Sequence, residues 1–324
     1  MPNTMTSARE SGGTKAGVIL DNAVRDVYSQ EILFNAQPLL LFRQFAEYQS
    51  DLLSNPGDTI KFTKYNDLEG DSELSEVEAI EHTNLQSSQI AIEVKEHGFG
   101  VSESERLIRT AWDNVVGRAT LLLGQHYGRS LDALIRRQFV AAASLQQIYS
   151  AAAAVNRSTL VAADTFNVRM VKDAAEQLAI NKTPKFGDSY ICILHPHQSR
   201  GIRDDSDWVE AHKYASPGEI FRGEIGRIEG VRFIETTNVS SVRASGQVWA
   251  DGKNTGKTEA VLPTVTTYQA MCLGANAVGF AEALPAEFRM DDSEDYGRTR
   301  KMAWYGIHGV GSIEDQNVVG LESA

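Results

Sequence analysis

Thr59-Ile60-Lys61-Phe62-Thr63 and Ile90-Ala91-Ile92-Glu93-Val94-Lys95 decide how this chain is read. In both runs apolar residues recur at every second position, the period of a strand with one covered face. Asn55-Pro56-Gly57-Asp58 is a turn signal that opens the first run. Between the two lies Asp67 to Glu81, which carries Asp67, Glu69, Asp71, Glu73, Glu76, Glu78 and Glu81 and neither Lys nor Arg. Like charges packed this densely repel one another and resist burial. The expected object is a long two-stranded ribbon ending in an acidic tip. A lone hairpin is marginal in water, so the ribbon needs a surface to lie on. Two arrangements meet that need: a solvated loop beside a sheet of its own chain, or an arm that reaches across a subunit boundary.

The rest of the chain bounds the possibilities. It has 324 residues, 42% of them hydrophobic and 23% charged, which suits a folded protein of one or two domains. Apolar runs of about 18 residues, the length of a membrane-crossing helix, are missing from the sequence. The opening Met1-Pro2-Asn3-Thr4 lacks the basic segment and apolar core of a secretory signal. Two cysteines, Cys192 and Cys272, are too few for a disulfide scaffold or a cysteine zinc site. With 31 Lys and Arg against 43 Asp and Glu, the net charge is −12. Affinity for nucleic acid comes largely from cations set against phosphates, so a whole-surface DNA wrapper is excluded.

Outward from the ribbon, residues 1–17 are polar and bury too little to order alone, and Pro38 divides 24–53 into short pieces. The pattern Ser102-x-x-Glu105 predicts a capped short helix bearing Leu107 and Ile108. A long helix is expected over about 113–143, tolerating Gly117, Gly124 and Gly128 where another backbone comes close. Asp164 is the expected N-cap of a helix over about 165–180, stopped by Asn181 and Pro184. Tyr190-Ile191-Cys192-Ile193-Leu194 reads as a strand covered on both faces. A short helix near Trp208 to Tyr214 and a strand at Val231 to Glu235 complete an α/β region. Residues 239–258 read as an exposed excursion, its Gly252 to Thr258 part as a flexible loop, 291–301 as a charged link, and 302–319 as a strand.

Catalytic patterns are weak throughout. Gly252-Lys253-Asn254-Thr255-Gly256-Lys257-Thr258 has three residues before its Gly-Lys pair where a phosphate-binding loop has four, and the following Pro263 stops any supporting helix. His195-Pro196-His197 supplies two imidazoles where zinc takes three or four ligands. Ser199 lacks a nucleophile-elbow setting. His126 is expected to be interior or interfacial, and Cys192 inert in its apolar run. The chain is expected to be neither an enzyme nor a binder of cofactors or metals.

Several motifs in order resemble the major capsid proteins of tailed bacteriophages, in particular the phage N-four-like family. They are Pro56-Gly57-Asp58-Thr59-Ile60-Lys61-Phe62 with the acidic ribbon, Glu96-His97-Gly98-Phe99-Gly100-Val101-Ser102, the Gly-interrupted helix, and Leu194-His195-Pro196 followed by Gly201-Ile202-Arg203-Asp204-Asp205. Gly226 to Ile234 and Lys301-Met302-Ala303-Trp304-Tyr305-Gly306 continue the series, and the similarity spans roughly residues 24–320. The resemblance implies an α+β fold of the Hong Kong 97-like capsid type. Mapped onto this chain, that gives an N-terminal arm (1–56), an extended β-hairpin loop (57–100), and a peripheral domain with a long spine helix (101–159). An axial α/β domain (160–284) and a return strand of the peripheral domain (285–324) follow.

The function implied is a structural shell protein, assembling as hexamers and pentamers into an icosahedral head around double-stranded DNA. The expected site residues are inter-subunit contacts on the extended loop: Ile60, Phe62, Glu69, Asp71, Glu73, Glu76, Ile90 and Ile92. Arg106, Arg109, Arg136, Arg137, Arg298, Arg300 and Lys301 are candidate basic partners for its acidic tip. The expected partners are further copies of the chain, with scaffolding, portal and decoration proteins, weak non-specific contact with packaged DNA, and no membrane. The expected location is the virion, after assembly in host cytoplasm. Two alternatives stay open: an encapsulin-like compartment of the same fold, and a nucleotide-binding enzyme using the loop from Gly252 to Thr258.

Overall fold

A computed structural model of the chain describes residues 40–50, 57–65, 82, 84–112, 114–151, 154, 156–205, 226–294, 296 and 298–324. The first 39 residues, the acidic segment 67–81 and the helix expected at Trp208 to Tyr214 lie outside the described residues.

The period-two runs form an antiparallel pair, β2 (Thr59–Tyr65) and β3 (Ser87–Glu93), with Ile60 opposite Ile92 and Phe62 opposite Ile90. Strand β4 (Lys95–Ser104) follows almost at once and joins a different sheet. That sheet runs β1 (Glu47–Gln49), β13 (Val278–Glu294), β14 (Thr299–Ser312), β4, with β13 and β14 forming a long hairpin. Residues 95–100 therefore belong to the body of the fold and not to the extended loop. The sequence from Glu96 to Ser102 contains three residues with no or small outward side chains, Gly98, Gly100 and Ser102, and its alternation is invisible until it is paired.

Ser104, not Ser102, caps helix α1 (Glu105–Thr110), its hydroxyl accepting the Leu107 amide at 3.2 Å. Ser102 is held in the ladder opposite Lys301, and pairing ends only at Ser104 against Thr299. The spine helix α2 (Val115–Ala143) starts on Asn114, whose side chain accepts the Gly117 amide at 3.1 Å. A Cβ on Gly117 would meet that same side chain at 3.0 Å, so here it is the cap and not another backbone that favours glycine.

A nine-stranded sheet forms the other half of the fold. Its main path runs β11 (Lys253–Thr258), β10 (Gln247–Ala250), β9 (Ser241–Val242), β12 (Thr267–Leu273), β6 (Tyr190–Leu194), β8 (Val231–Glu235), β7 (Arg227–Ile228). Strand β15 (Val318–Ser323) also pairs with β12, and β5 (Gln147–Tyr149) with β15. Ile191 and Ile193 of β6 join the core under α2, with Leu131, Ile135, Phe139 and Phe280. Tyr190, Cys192 and Leu194 turn to the opposite core with Val171, Ala174 and Leu178 of helix α3 (Val168–Ile180). A strand clamped between two helices has no polar face, which explains its unbroken apolar run.

Four further expectations are corrected. Helix α3 starts on Asn167, whose Oδ1 accepts the Met170 amide at 3.1 Å, because the Asp164 carboxylate is already taken by the Val161 amide at 2.8 Å. Residues 239–258 are not an exposed excursion ending in a loose loop: they form β9, β10 and β11, bury Val242 and Val248, and turn the hairpin at Asp251 and Gly252 with positive φ. The charged link at 291–301 is the far end of the β13–β14 hairpin. Leu284-Pro285 is no boundary either, since β13 passes through it with a register shift that accommodates the missing amide hydrogen. The return segment 285–324 consequently divides, β14 staying in the four-stranded sheet while β15 crosses to β12.

Candidate assembly surfaces

The ribbon's inner face rests on its own chain. Ile60, Phe62 and Ile92 are 3–4% exposed and cluster with Ala281, flanked by Val94 and Ile313. Small residues make the room: a Cβ on Gly279 would lie 2.8 Å from the Phe62 ring, one on Gly311 2.8 Å from Ile92, and one on Gly309 2.3 Å from the Glu93 carbonyl oxygen. The Val94 amide donates to the Asp58 carbonyl at 2.9 Å, closing the base, and Lys64 pairs with Glu314 beside it. Within one chain, then, Ile60, Phe62 and Ile92 are core residues and not free for a neighbour; Ile90 is half-buried. The outward positions Thr59, Lys61, Thr63 and Tyr65 are exposed. Glu69, Asp71, Glu73 and Glu76 lie outside the described residues.

The candidate basic partners fall into two groups. Arg106, Arg109, Arg298, Arg300 and Lys301 gather where α1 meets the end of β14, the Glu105 amide donating to the Arg298 carbonyl at 2.8 Å. Glu105 faces two of them, Arg109 at 2.8 Å and Arg300 at 3.5 Å. Arg136 and Arg137 lie elsewhere, on α2. Arg136 is 4% exposed and committed to its own chain, donating to the Asn238 carbonyl at 3.0 Å and to the Asn238 side chain. Burial lowers its pKa to about 10, so it stays cationic. Arg137 is exposed.

Asp132, which sequence reasoning passed over, ties three parts of the fold together. From α2 its carboxylate accepts the Phe42 amide at 2.7 Å and the Asn238 side-chain amide at 2.5 Å. Burial pushes its pKa up to about 6. An acid inside an otherwise apolar helix face was the available signal. Beside it opens a cleft of about 1030 Å³ between α2, β4 and the β10–β11 turn, lined by His126, Arg129, Arg137, Asp251 and Lys253 among others. His126 stacks on Phe99 and accepts the Trp304 indole N–H at 3.1 Å, which makes it a packing residue.

The other polar candidates are likewise structural. His195 caps helix α4 (Pro196–Asp204), accepting the His197 amide at 3.1 Å, and both imidazoles stack on Tyr268. The Ser199 hydroxyl donates to Glu235 at 2.6 Å and accepts from Arg203 at 2.9 Å, while its backbone amide donates to the His195 carbonyl at 3.0 Å within the same helix. Cys192 and Cys272 face each other across β6 and β12, both buried and reduced; hydrogen bonding between the thiols, then burial, raises the Cys192 pKa. Among the described residues no three His, Cys, Asp or Glu side chains converge as a metal site. Lys257 and Thr258, the residues that a phosphate loop would aim at its ligand, are exposed on edge strand β11.

The ribbon thus lies on the four-stranded sheet, and the spine helix shares a core with both sheets. The family model described as phage capsid protein matches residues 128–323, more than half of the chain. The chain belongs to the phage capsid protein family. No curated protein sequence matches this capsid protein. Its fold is of the Hong Kong 97-like capsid type, α+β as expected, and is similar to that of several solved shells. The capsid of the cyanophage P-SCSP1u superposes with a TM-score of 0.67 at 15% identity, covering 88% of each chain. The capsid of Ralstonia phage GP4 gives 0.67 at 16% identity, over 86% of this chain and 87% of that one. A virus-like particle from Pyrococcus furiosus gives 0.54 at 10% identity, over 92% and 99%. The capsid protein is thus a structural, self-associating component of the virion, and not an enzyme.

Proposed function

We propose that copies of this capsid protein assemble as hexamers and pentamers into an icosahedral head that encloses double-stranded DNA. The observation that carries the proposal is the anchored ribbon: its root is fixed on Gly279, Ala281, Gly309 and Gly311, while its sequence continues into seven acids that its own core would not accept. Glu69, Asp71, Glu73 and Glu76 then act on a neighbouring copy, against basic residues such as those at the α1–β14 junction. Exposed pairs of this kind contribute about 0–1 kcal/mol each, so they set register more than strength. In this assignment α2 and the four-stranded sheet form the peripheral domain, and the nine-stranded sheet with α3 and α4 forms the axial domain. The net charge of −12 suits an inner wall that repels packaged DNA. Scaffolding, portal and decoration proteins are the further partners that a head requires.

Negative-stain microscopy of the purified protein tests the proposal. Closed particles with five- and six-fold clusters are expected, and a stable monomer at high concentration would overturn it. Nuclease-protected DNA in particles from infected cells separates a genome container from a compartment for protein cargo.

A further inference from the structure

The cleft beside Asp132 joins two chemistries that the folded chain leaves open to water. Phe99 on β4 is 49% exposed and Leu122 on α2 is 60% exposed, and both line it. Arg129 and Arg137, about two turns apart along α2, and Lys253 on β11 stand exposed around them. The acids of the same walls are engaged inside the chain. Asp132 holds the Phe42 amide and the Asn238 side chain, Glu235 takes the Ser199 hydroxyl, and Asp251 stands 3.8 Å from Arg129. Burial, then Lys253 and Arg129, lower the pKa of His126, so the floor of the cleft feels a positive field. β4 is the outer strand of its sheet, and among the described residues no strand covers its far edge.

Cations set around apolar side chains select an acidic segment that carries apolar residues of its own. Residues 67–81 of this chain have that chemistry: seven acids and no Lys or Arg, with Leu74, Val77 and Ile80 among them at every third position. The other basic surface, at the α1–β14 junction, already holds Glu105 against Arg109 and Arg300. The path of the ribbon selects the segment of another copy. β4 pairs with β14 from Thr299 to His308, with Phe99 opposite Trp304. The ribbon sits beyond that stretch, on Gly309 and Gly311, and runs toward Glu314, where Lys64 pairs. It therefore leaves its own fold heading away from its own cleft, with about 25 Å of strand between Trp304 and Ser312.

We propose that the cleft between α2, β4 and the β10–β11 turn receives the acidic segment 67–81 of a second copy, its acids against Arg129, Arg137 and Lys253 and its apolar residues against Phe99 and Leu122. The contact deepens the head-shell reading given above and rests on it.

Two charge reversals test it: Arg129→Glu with Arg137→Glu and Lys253→Glu in the cleft, and Glu73→Lys with Glu76→Lys and Glu78→Lys in the segment. Each set alone is expected to lower particle yield by about tenfold or more, since like charges then face each other. Both sets in one chain restore the pairing and are expected to recover most of the wild-type yield. A poor segment variant beside a full-yield cleft variant overturns the cleft and leaves the head-shell reading standing. A double variant as poor as either set alone overturns the cleft as well. Leu122→Ser changes one exposed side chain and guards against misfolding of the reversals. An unchanged melting temperature with at least about threefold fewer particles is expected, and full yield overturns the contact. A chain with Leu122→Cys, co-assembled with a tagged chain carrying Val77→Cys and treated with a bismaleimide, is expected to give a crosslinked pair. The native Cys192 and Cys272 are buried and do not compete. No crosslink, or one formed only when both cysteines are in the same chain, overturns the proposal; the second result would assign the segment to its own cleft. Wild-type protein that forms no particles would instead overturn the head-shell reading, and this contact with it.

Discussion

His97 and His308 stack face to face across β4 and β14, their ring centroids 4.2 Å apart and their planes within 17°. His308 is 2% exposed, with Phe280 on one side and Arg43 near enough to oppose a second positive charge. Burial, then His97 and Arg43, lower its pKa from 6.5 to about 3. Burial lowers that of His97 as well. The pair fastens the edge strand that leads out of the ribbon.

This pair makes the fold acid-sensitive. An imidazole with a depressed folded pKa takes up its proton first in the unfolded chain, so its contribution is present above pH 6.5 and is lost on acidification toward about 3. The slope is at most about 1.4 kcal/mol per pH unit. Asp132 works in the opposite sense, because its raised pKa favours the folded state as pH falls from about 6 toward 3.8. Urea titrations of the capsid protein at pH 7 and pH 4.5 are expected to show lower stability at the acid end. The loss should be smaller in His308→Gln and larger in Asp132→Asn; a His308→Gln variant with the wild-type pH slope would refute this account.

The seat of the ribbon is expected to tolerate no side chain. In Gly309→Ala the new methyl would meet the Glu93 carbonyl oxygen at 2.3 Å, a backbone atom that can move only if the ribbon lifts. A destabilisation of about 1–3 kcal/mol is expected, with faster proteolysis around β2 and β3 before the rest of the chain is cut.

Root and tip of the ribbon should separate experimentally. Phe62→Ala removes a ring that is 4% exposed, and should cost about 3 kcal/mol of stability in the unassembled chain. Replacing Glu69, Asp71, Glu73 and Glu76 by Ser should leave the melting temperature unchanged and lower particle yield. Equal effects of the two variants on folding and on assembly would contradict the division.

Asp132→Ala strands the Phe42 amide and the Asn238 side chain together, and leaves the Arg136 guanidinium without its nearest acid. A loss of about 2–4 kcal/mol is expected, read as a lower denaturant midpoint. The Arg129→Ala control, which removes an exposed pair with Asp251 at 3.8 Å, should cost under about 1 kcal/mol.

Elements with a strong period were legible in the sequence. Ile60 and Phe62, the apolar stripe of the spine helix and the doubly covered strand at Tyr190 each reveal one or two covered faces without knowledge of the partner. Termini were legible only to within a few residues, because Ser102 and Ser104, or Asp164 and Asn167, offer the same capping chemistry and the ladder decides which is free to use it. Charged residues at 291–301 read as a link because acids crowd one strand of the hairpin and bases the other, which leaves no apolar alternation in the sequence. The ribbon's seat was beyond reach: Phe62 finds its space in Gly279, and Ile92 in Gly311, through a packing fit between segments far apart in the chain. For the assembly surface, composition disclosed the acids and bases. Only the fold shows that Arg136 is buried in its own chain and that five other basic residues share one corner.

The facing thiols of Cys192 and Cys272 lie in the core on the α3 side of the nine-stranded sheet. Both are 0% exposed, so a maleimide dye has no route to them while the sheet is intact. They therefore serve as a built-in gauge of integrity: dye uptake counts opened subunits in a particle preparation.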